Sequence, residues 1–281
     1  LGVTARAAAP TALGELVFGA DYWFDRVGSE RREAADGMTA MVPSRFADGS
    51  QVHQASLYGL LRRDLGERVT VQGGARAVAI AIDIAAADRA VGAAISTVDG
   101  SAELGAEARL GGGVAVVANL GRGFRTPNVH DLSTLGARPG NRWQVPSAEL
   151  APEHALGADV GVRVERAAIT GELFGFGLVV DDQLTVVPTG EVTPDGRTIV
   201  QSANAGQVRI GGAEAAVRAR PWPWLELAAD ATWLHGTQGR GDDTEPADRL
   251  PPLGGGVSAR WLRGALAVES GVRWAAAQHR L

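Results

Sequence analysis

The chain has 281 residues, 45% of them hydrophobic, with 38 glycines, 13 prolines, no cysteine and a formal net charge of -5. The lack of cysteine excludes a disulfide framework and a thiolate metal site, and charges of both signs spread along the chain give no basic stripe to neutralise phosphates, so no nucleic acid partner is expected. The most apolar stretch, Val78 to Ile95, is interrupted by Asp83, Asp88 and Arg89, which leaves no room for a transmembrane helix of roughly 20 uncharged residues.

In chain order, the first clear pattern is Leu16, Phe18, Ala20, Tyr22 and Phe24 alternating with Glu15, Asp21 and Asp25. A period of two puts the apolar row on one face of an extended segment and the polar row on the other. The pattern returns at Leu104, Ala106, Ala108 and Leu110 against Glu103, Glu107 and Arg109, and at Leu156, Ala158, Val160, Val162 and Val164 against Asp159, Arg163 and Glu165. It returns again at Leu225, Leu227, Ala229, Ala231 and Trp233 against Glu226 and Asp230, and at Leu262, Leu266, Val268, Val272 and Trp274 against Arg263, Glu269 and Arg273. About twelve such segments of roughly ten residues are expected, a length that crosses a bilayer at a tilt; strands of soluble sheets are usually nearer five or six.

The predicted connections alternate in length. Short ones fall at Asp64 to Glu67, Gly111 to Gly113, Arg166, Pro221 to Pro223 and near Arg263; long ones run from Gly28 to Ser50, Asp83 to Asp99, Phe124 to Glu153, Asp181 to Arg197 and His235 to Arg249. Tight turns at one end and long loops at the other are the rhythm of an outer-membrane barrel. Trp23, Trp222, Trp224, Trp233, Trp261 and Trp274 lie near predicted strand ends, where an interfacial aromatic belt would stand. The fold class expected is therefore all-β, an antiparallel up-and-down transmembrane β-barrel. A soluble β-sandwich is the competing architecture, since aromatic residues are only 5%.

Two boxes stand out from the alternation. The run Asn119-Leu-Gly-Arg-Gly-Phe-Arg-Thr-Pro-Asn128, followed by Asp131 and Leu132, resembles the "S-x-G-F-R-A-P-x-x-x-E-L" box of TonB-dependent receptor barrels, with Thr126 where Ala is usual. The run Val145-Pro-Ser-Ala-Glu-Leu-Ala-Pro-Glu153 is similar to the "N-P-D-L-K-P-E" box of the same family, and Leu156 to Glu165 follows it as a strand; Ser147 and Ala148 depart from the pattern. Leu16 to Asp25 and Asn204 to Glu214 resemble two further barrel segments of the family, so the likeness runs from Leu16 to Trp274. The family-motif residues carried over are Gly123, Phe124, Arg125, Pro127, Leu150, Pro152 and Glu153.

The resemblance implies an outer-membrane importer of Gram-negative type, with an amino-terminal plug and about twenty-two strands. Residues 1–281 would then be a piece of barrel wall, about twelve strands, without the plug. It further implies a scarce nutrient bound at exterior loops, such as a siderophore or haem, and gating energised by the TonB complex through the plug. Outer-membrane lipid surrounds such a wall. A passive porin or an adhesin is the alternative barrel function.

From the residues alone, Gly121 and Gly123 are expected to allow an unusual backbone path, and Pro127 to end ladder pairing. Arg125 has two readings: contact with plug or ligand, or an internal salt bridge with a carboxylate on a neighbouring strand. The loop between the boxes offers His130, Arg138, Arg142 and Trp143 as candidate ligand-binding residues. The resemblance adds that His130 could serve as an axial haem ligand; a solvated loop histidine is the other reading. Asp181 with Asp182, and Asp242, Asp243 and Glu245, are either calcium ligands or charged loop tips. His53, His130, His154, His235 and His279 are scattered and no hydrolase or metalloprotease motif accompanies them, so no catalytic residue, no cofactor and no resident metal are expected.

Overall fold

The structure, a computed structural model, describes residues 1–35, 38–42, 44–86, 93–240 and 243–278; Asp88, Arg89, Asp242 and His279, named above, lie outside these ranges. In chain order the elements are β1 (Gly2–Thr11), β2 (Gly14–Arg26), β3 (Arg31–Ala35), β4 (Met38–Val42), β5 (Gln51–Leu65), β6 (Val69–Ile84), β7 (Ala93–Gly111), β8 (Val114–Arg125), α1 (Val129–Ser133), β9 (Gly136–Arg138), β10 (Arg142–Val145), β11 (Glu153–Arg166), β12 (Ile169–Asp181), β13 (Leu184–Val192), β14 (Thr198–Asn204), β15 (Gln207–Trp222), β16 (Leu225–Arg240), β17 (Asp243–Pro246), β18 (Gly254–Arg263) and β19 (Leu266–Ala275).

Twelve of these strands form one wall in the order β1-β2-β5-β6-β7-β8-β11-β12-β15-β16-β18-β19, each antiparallel to its neighbour, and β17 pairs with the upper part of β16. The fold is thus all-β and up-and-down, a partial barrel wall whose end strands β1 and β19 do not pair with each other. Wall strands run from 10 to 19 residues. The tight connections all fall at one end, and the long ones at the other carry every remaining element.

Cross-strand pairs share a face, so the register sorts the side chains. One face carries Leu16, Phe18 and Ala20 on β2, Leu57 on β5, Leu104 on β7, Leu156 and Val160 on β11, Leu173 on β12, and Val268 and Val272 on β19. Several of its large side chains are open: Leu57 is 68% exposed, Leu104 64% and Val272 65%. An apolar face of this size, with charged residues such as Arg122 only toward its edges, would be costly in water, at roughly 25 cal/mol per Å² of apolar surface; it is the lipid side of a transmembrane wall. Among the described residues no second sheet covers it, which removes the sandwich alternative.

The other face is polar and internally bonded. Arg76 reaches Asp21 at 2.8 Å and Ser56 at 2.7 Å, tying β2, β5 and β6 together. Asn119 donates to Asp159 at 2.8 Å between β8 and β11, and Arg163 lies 3.6 Å from Glu172 between β11 and β12. These groups are neighbours because charged residues two apart in each strand meet those of the next strand in register.

Three details of the expectation change. β6 runs to Ile84 and β7 starts at Ala93, so most of the described residues of the loop predicted from Asp83 to Asp99 are strand. The predicted segment Leu262 to Trp274 is two strands folded at Arg263, and Leu262, opposite Ala267, falls on the polar side. Trp23 alternates with Tyr22 and shares a face with Asp21, so it is not in the lipid-facing belt. Trp233, Trp261 and Trp274 are on the apolar face, and Trp222 and Trp224 stack at 5.2 Å in the β15–β16 turn.

The buried apolar core is small and lies on the polar side, at the long-loop end. Val78, Ile80, Ile82 and Ile84 of β6 pack against Val129 and Leu132 of α1, with Ala47 and Leu150. Lower on the same face, β6 carries Thr70, Gln72 and Arg76. From Ala77 to Ile82 β6 is apolar on both faces because lipid lies on one side and α1 on the other, which accounts for the high apolarity of this stretch in the sequence.

Candidate functional site

The two sequence boxes meet in space. Arg125 ends β8 and Glu153 begins β11, directly across the ladder. The Arg125 Nε donates to Glu153 Oε1 at 2.5 Å, and its Nη1 donates to Asp131 Oδ2 at 2.8 Å on α1. Glu153 also accepts the backbone N–H of Leu184 at 2.8 Å, which attaches β13. An internal salt bridge is therefore present at Arg125, and it joins the wall to two separate loops.

The short helix α1 is set by a capping box: Asn128 Oδ1 accepts from the Asp131 N–H at 3.0 Å and Asp131 Oδ2 accepts from the Asn128 N–H at 3.1 Å. The same Asp131 carboxylate thus caps the helix and holds Arg125. Pro127, fully buried, separates the end of β8 from this cap, and the ladder stops at Arg125 as the missing N–H requires. Phe124 and Leu150 pack on the Ile80 and Ile82 cluster.

The expectation for Gly121 and Gly123 does not hold. Neither has a positive φ, and a Cβ at Gly123 would meet nothing within 4 Å. Both sit in an ordinary ladder, where strand residues of any kind fit.

Second-box backbone is held by Asn204, at the end of β14. Its Oδ1 accepts from the Ala151 N–H at 2.8 Å, and its Nδ2 donates to Ala151 O at 2.9 Å and Asp182 O at 2.8 Å. Beside this network a cleft of about 670 Å³ opens on the polar side, lined by Arg125, Glu153, Leu184, Gln238 and Arg249 among others.

Above the wall, β13-β14-β10-β9 form a separate sheet built from two loops, with β10 and β14 parallel and the other pairs antiparallel. The candidates named from sequence divide between this sheet and α1. His130 is half exposed on α1 and faces the Phe46 ring at 5.5 Å. Trp143 on β10 lies under the Arg197 guanidinium at 5.6 Å. Arg138 and Arg142 are directly opposed in the β9–β10 hairpin. Arg142 donates to Pro139 O at 2.9 Å, and Arg138 donates to Gln144 Oε1 at 2.5 Å.

Gln144 itself is fully buried and donates to Ser202 at 3.3 Å. Burial first, then the charges of Arg45 and Arg142, push the Arg138 guanidinium below the ordinary arginine value. Arg45, from the loop before β5, donates to Ala137 O at 3.2 Å. Sequence reasoning missed Arg45, Gln144 and Ser202, which carry no local signal.

Two of the other histidines bond to side chains on other wall strands: His53 bonds Tyr22 at 2.8 Å and His154 bonds Asp99 at 2.6 Å. Asp181 accepts from Gln207, and Glu245 from Gln238 at 2.9 Å. Among the described residues no three His, Asp or Glu side chains come together as a metal-holding group.

A continuous antiparallel wall with an exposed apolar face, a bonded polar face and loops gathered at one end defines a transmembrane β-barrel of outer-membrane type. The profile of the TonB dependent receptor-like β-barrel family matches residues 2–280, and the chain belongs to that family. Solved structures agree on the fold. The copper transporter OprC superimposes with a TM-score of 0.81 at 19% identity, over 100% of this chain and 44% of its own. A double mutant of the Serratia marcescens hemophore receptor HasR, in complex with its hemophore HasA and heme, gives 0.76 at 16% identity, over 98% and 50%. The ferric yersiniabactin uptake receptor FyuA from Yersinia pestis gives 0.60 at 16%, over 92% and 39%. The chain spans half or less of the length of each of these. Comparison with curated protein sequences finds no significant match.

Proposed function

We propose that residues 1–281 are a stretch of wall and exterior loops from an outer-membrane importer, which captures a scarce nutrient at its long-loop end and admits it by energised gating. The observation that carries this reading is the Arg125, Asp131 and Glu153 network. It ties α1 and β13, both loop elements, to the rim of the polar face, so movement in the loops and at the inner wall is mechanically linked. A passive pore needs no such linkage.

On this reading the polar face lines the passage, with Glu107, Arg109, Asp159, Arg163, Glu226, Asp230, Glu269 and Arg273 hydrating it or gripping a plug. His130, Arg138, Arg142 and Trp143 contact the ligand, and the TonB complex supplies the energy. Copper, haem and ferric siderophores, named for the structural neighbours, set the range of cargo. No step is catalytic; transport is a shift between conformations driven from outside the wall.

The test is uptake. Deleting the parent gene in its host is expected to slow growth when iron or copper is withheld, with rescue by the intact gene only while TonB is functional. The parent protein is expected in the outer-membrane fraction. Rescue that persists without TonB would replace the importer by a passive barrel.

A further inference from the structure

Arginines at the loop end differ in whether a carboxylate meets them. Arg31, Arg125 and Arg197 each reach a carboxylate, at Glu33, at Asp131 and Glu153, and at Asp195. Arg45, Arg138 and Arg142 have none within 4 Å among the described residues, although they lie together. Arg138 and Arg142 are a direct cross-strand pair next to a turn of Pro139, Gly140 and Asn141, and like charges at such a position repel. Arg45 is fastened to the middle of the same hairpin through Ala137 O.

This repulsion is built in rather than accidental. Arg138 is held by Gln144, a fully buried amide whose other end is fixed by Ser202 on β14. The hairpin is locked from below by the parallel pairing of Arg142 with Thr198 and of Gln144 with Val200. Two loops therefore converge, braced by a third, to present guanidiniums with no carboxylate partner among the described residues. Planar guanidiniums gathered on one hairpin suit oxygens of more than one carboxylate or phosphate, which accept paired N–H bonds.

We propose that Arg45, Arg138 and Arg142 form a binding site for a small multiply charged oxyanion, a molecule bearing two or more carboxylates or phosphates. This deepens the importer reading by naming the chemical class of its cargo. Anion binding removes the repulsion between the arginines, so the site is expected to be less stable empty than filled.

The experiment uses the full-length parent receptor in detergent, titrated calorimetrically with citrate and with pyrophosphate. Saturable binding of at least one is expected, weakening steeply as salt is raised. Arg142→Gln and Arg138→Gln should each weaken it about tenfold; the melting temperature of the empty receptor should stay level or rise with Arg142→Gln, whereas Arg138→Gln also removes the partner of buried Gln144. Arg122→Gln, which alters a wall arginine paired with Asp99, should leave the affinity unchanged. Absence of saturable binding, equal affinity in the arginine variants, or binding only to phosphatidylglycerol vesicles would overturn the proposal. TonB-dependent uptake with no anion binding would leave the importer standing and remove this site; anion binding without energised uptake would do the reverse.

Discussion

The wall and the loop end of this molecule are held together in different ways. In the wall, tight turns and long loops alternate between neighbouring strands, the strands run 10 to 19 residues, and the large apolar side chains point outward and stay exposed. At the loop end, the pairing joins segments far apart in sequence, and the apolar side chains point inward, with Leu132 2% exposed. One region relies on lipid to cover its apolar surface. The other builds a miniature globular core of its own. An outer-membrane protein thus uses two folding rules in one chain, and mutations should separate them.

The largest effect is expected from a charge on the lipid face. Leu57→Arg should lower the stability of the full receptor in bilayers by up to about 4 kcal/mol. Ala216→Arg, on the polar face between Glu172 and Asp230, should cost no more than about 0.5 kcal/mol. Denaturant titration from lipid vesicles measures both, and equal costs would abolish the assignment of the faces.

Next comes a turn of the wall. Gly113 has a φ of +75°, and a Cβ there would stand 1.9 Å from Glu165 O. Gly113→Ala is expected to cost about 3 kcal/mol. Gly66→Ala has open space at a φ of +69° and should cost about 1 kcal/mol. The same unfolding titration distinguishes them.

In the loop end, Leu132→Ala should remove about 2 kcal/mol of local stability without moving the unfolding midpoint of the wall. Hydrogen exchange should show α1 and the segment around Ala47 opening faster while the amides of β11 and β12 stay protected. If wall and loops lose protection together, they are one cooperative unit and the comparison drawn above fails.

Arg125→Gln should have the smallest effect on stability, about 1 kcal/mol, because the guanidinium is 43% exposed and water screens its bonds. Its signature is elsewhere: Asp131 and Glu153 lose their shared cation, and exchange should quicken at Asp131 and Leu184, on two different loops. Exchange confined to one loop would remove the linkage between them.

Much of this was legible in the residues. Alternation at Leu16 to Phe24, Leu156 to Val164 and Leu225 to Trp233 marks strands with one apolar face, and those strands are present as β2, β11 and β16. The two boxes, distant in the sequence, lie side by side, because Arg125 and Glu153 are opposed in the ladder. What misled was local chemistry read without its neighbours. Gly121 and Gly123 suggested an unusual backbone, yet a glycine in a strand is silent about its φ until the ladder fixes it. The acidic and alanine-rich segment before Asp99 read as a loop, yet pairing with β6 makes it strand from Ala93.

The sequence by itself determined the hairpins of the wall: period two is a property of each strand taken alone, and a tight turn brings the two strands of a hairpin into register without help from distant residues. Only the tertiary structure decided the loop end. The pairing of Arg142 with Thr198, the burial of Gln144 and the approach of Arg45 to Ala137 O each join residues more than fifty positions apart or in different loops. No local periodicity encodes such contacts, since they depend on the wall first holding the loop roots side by side.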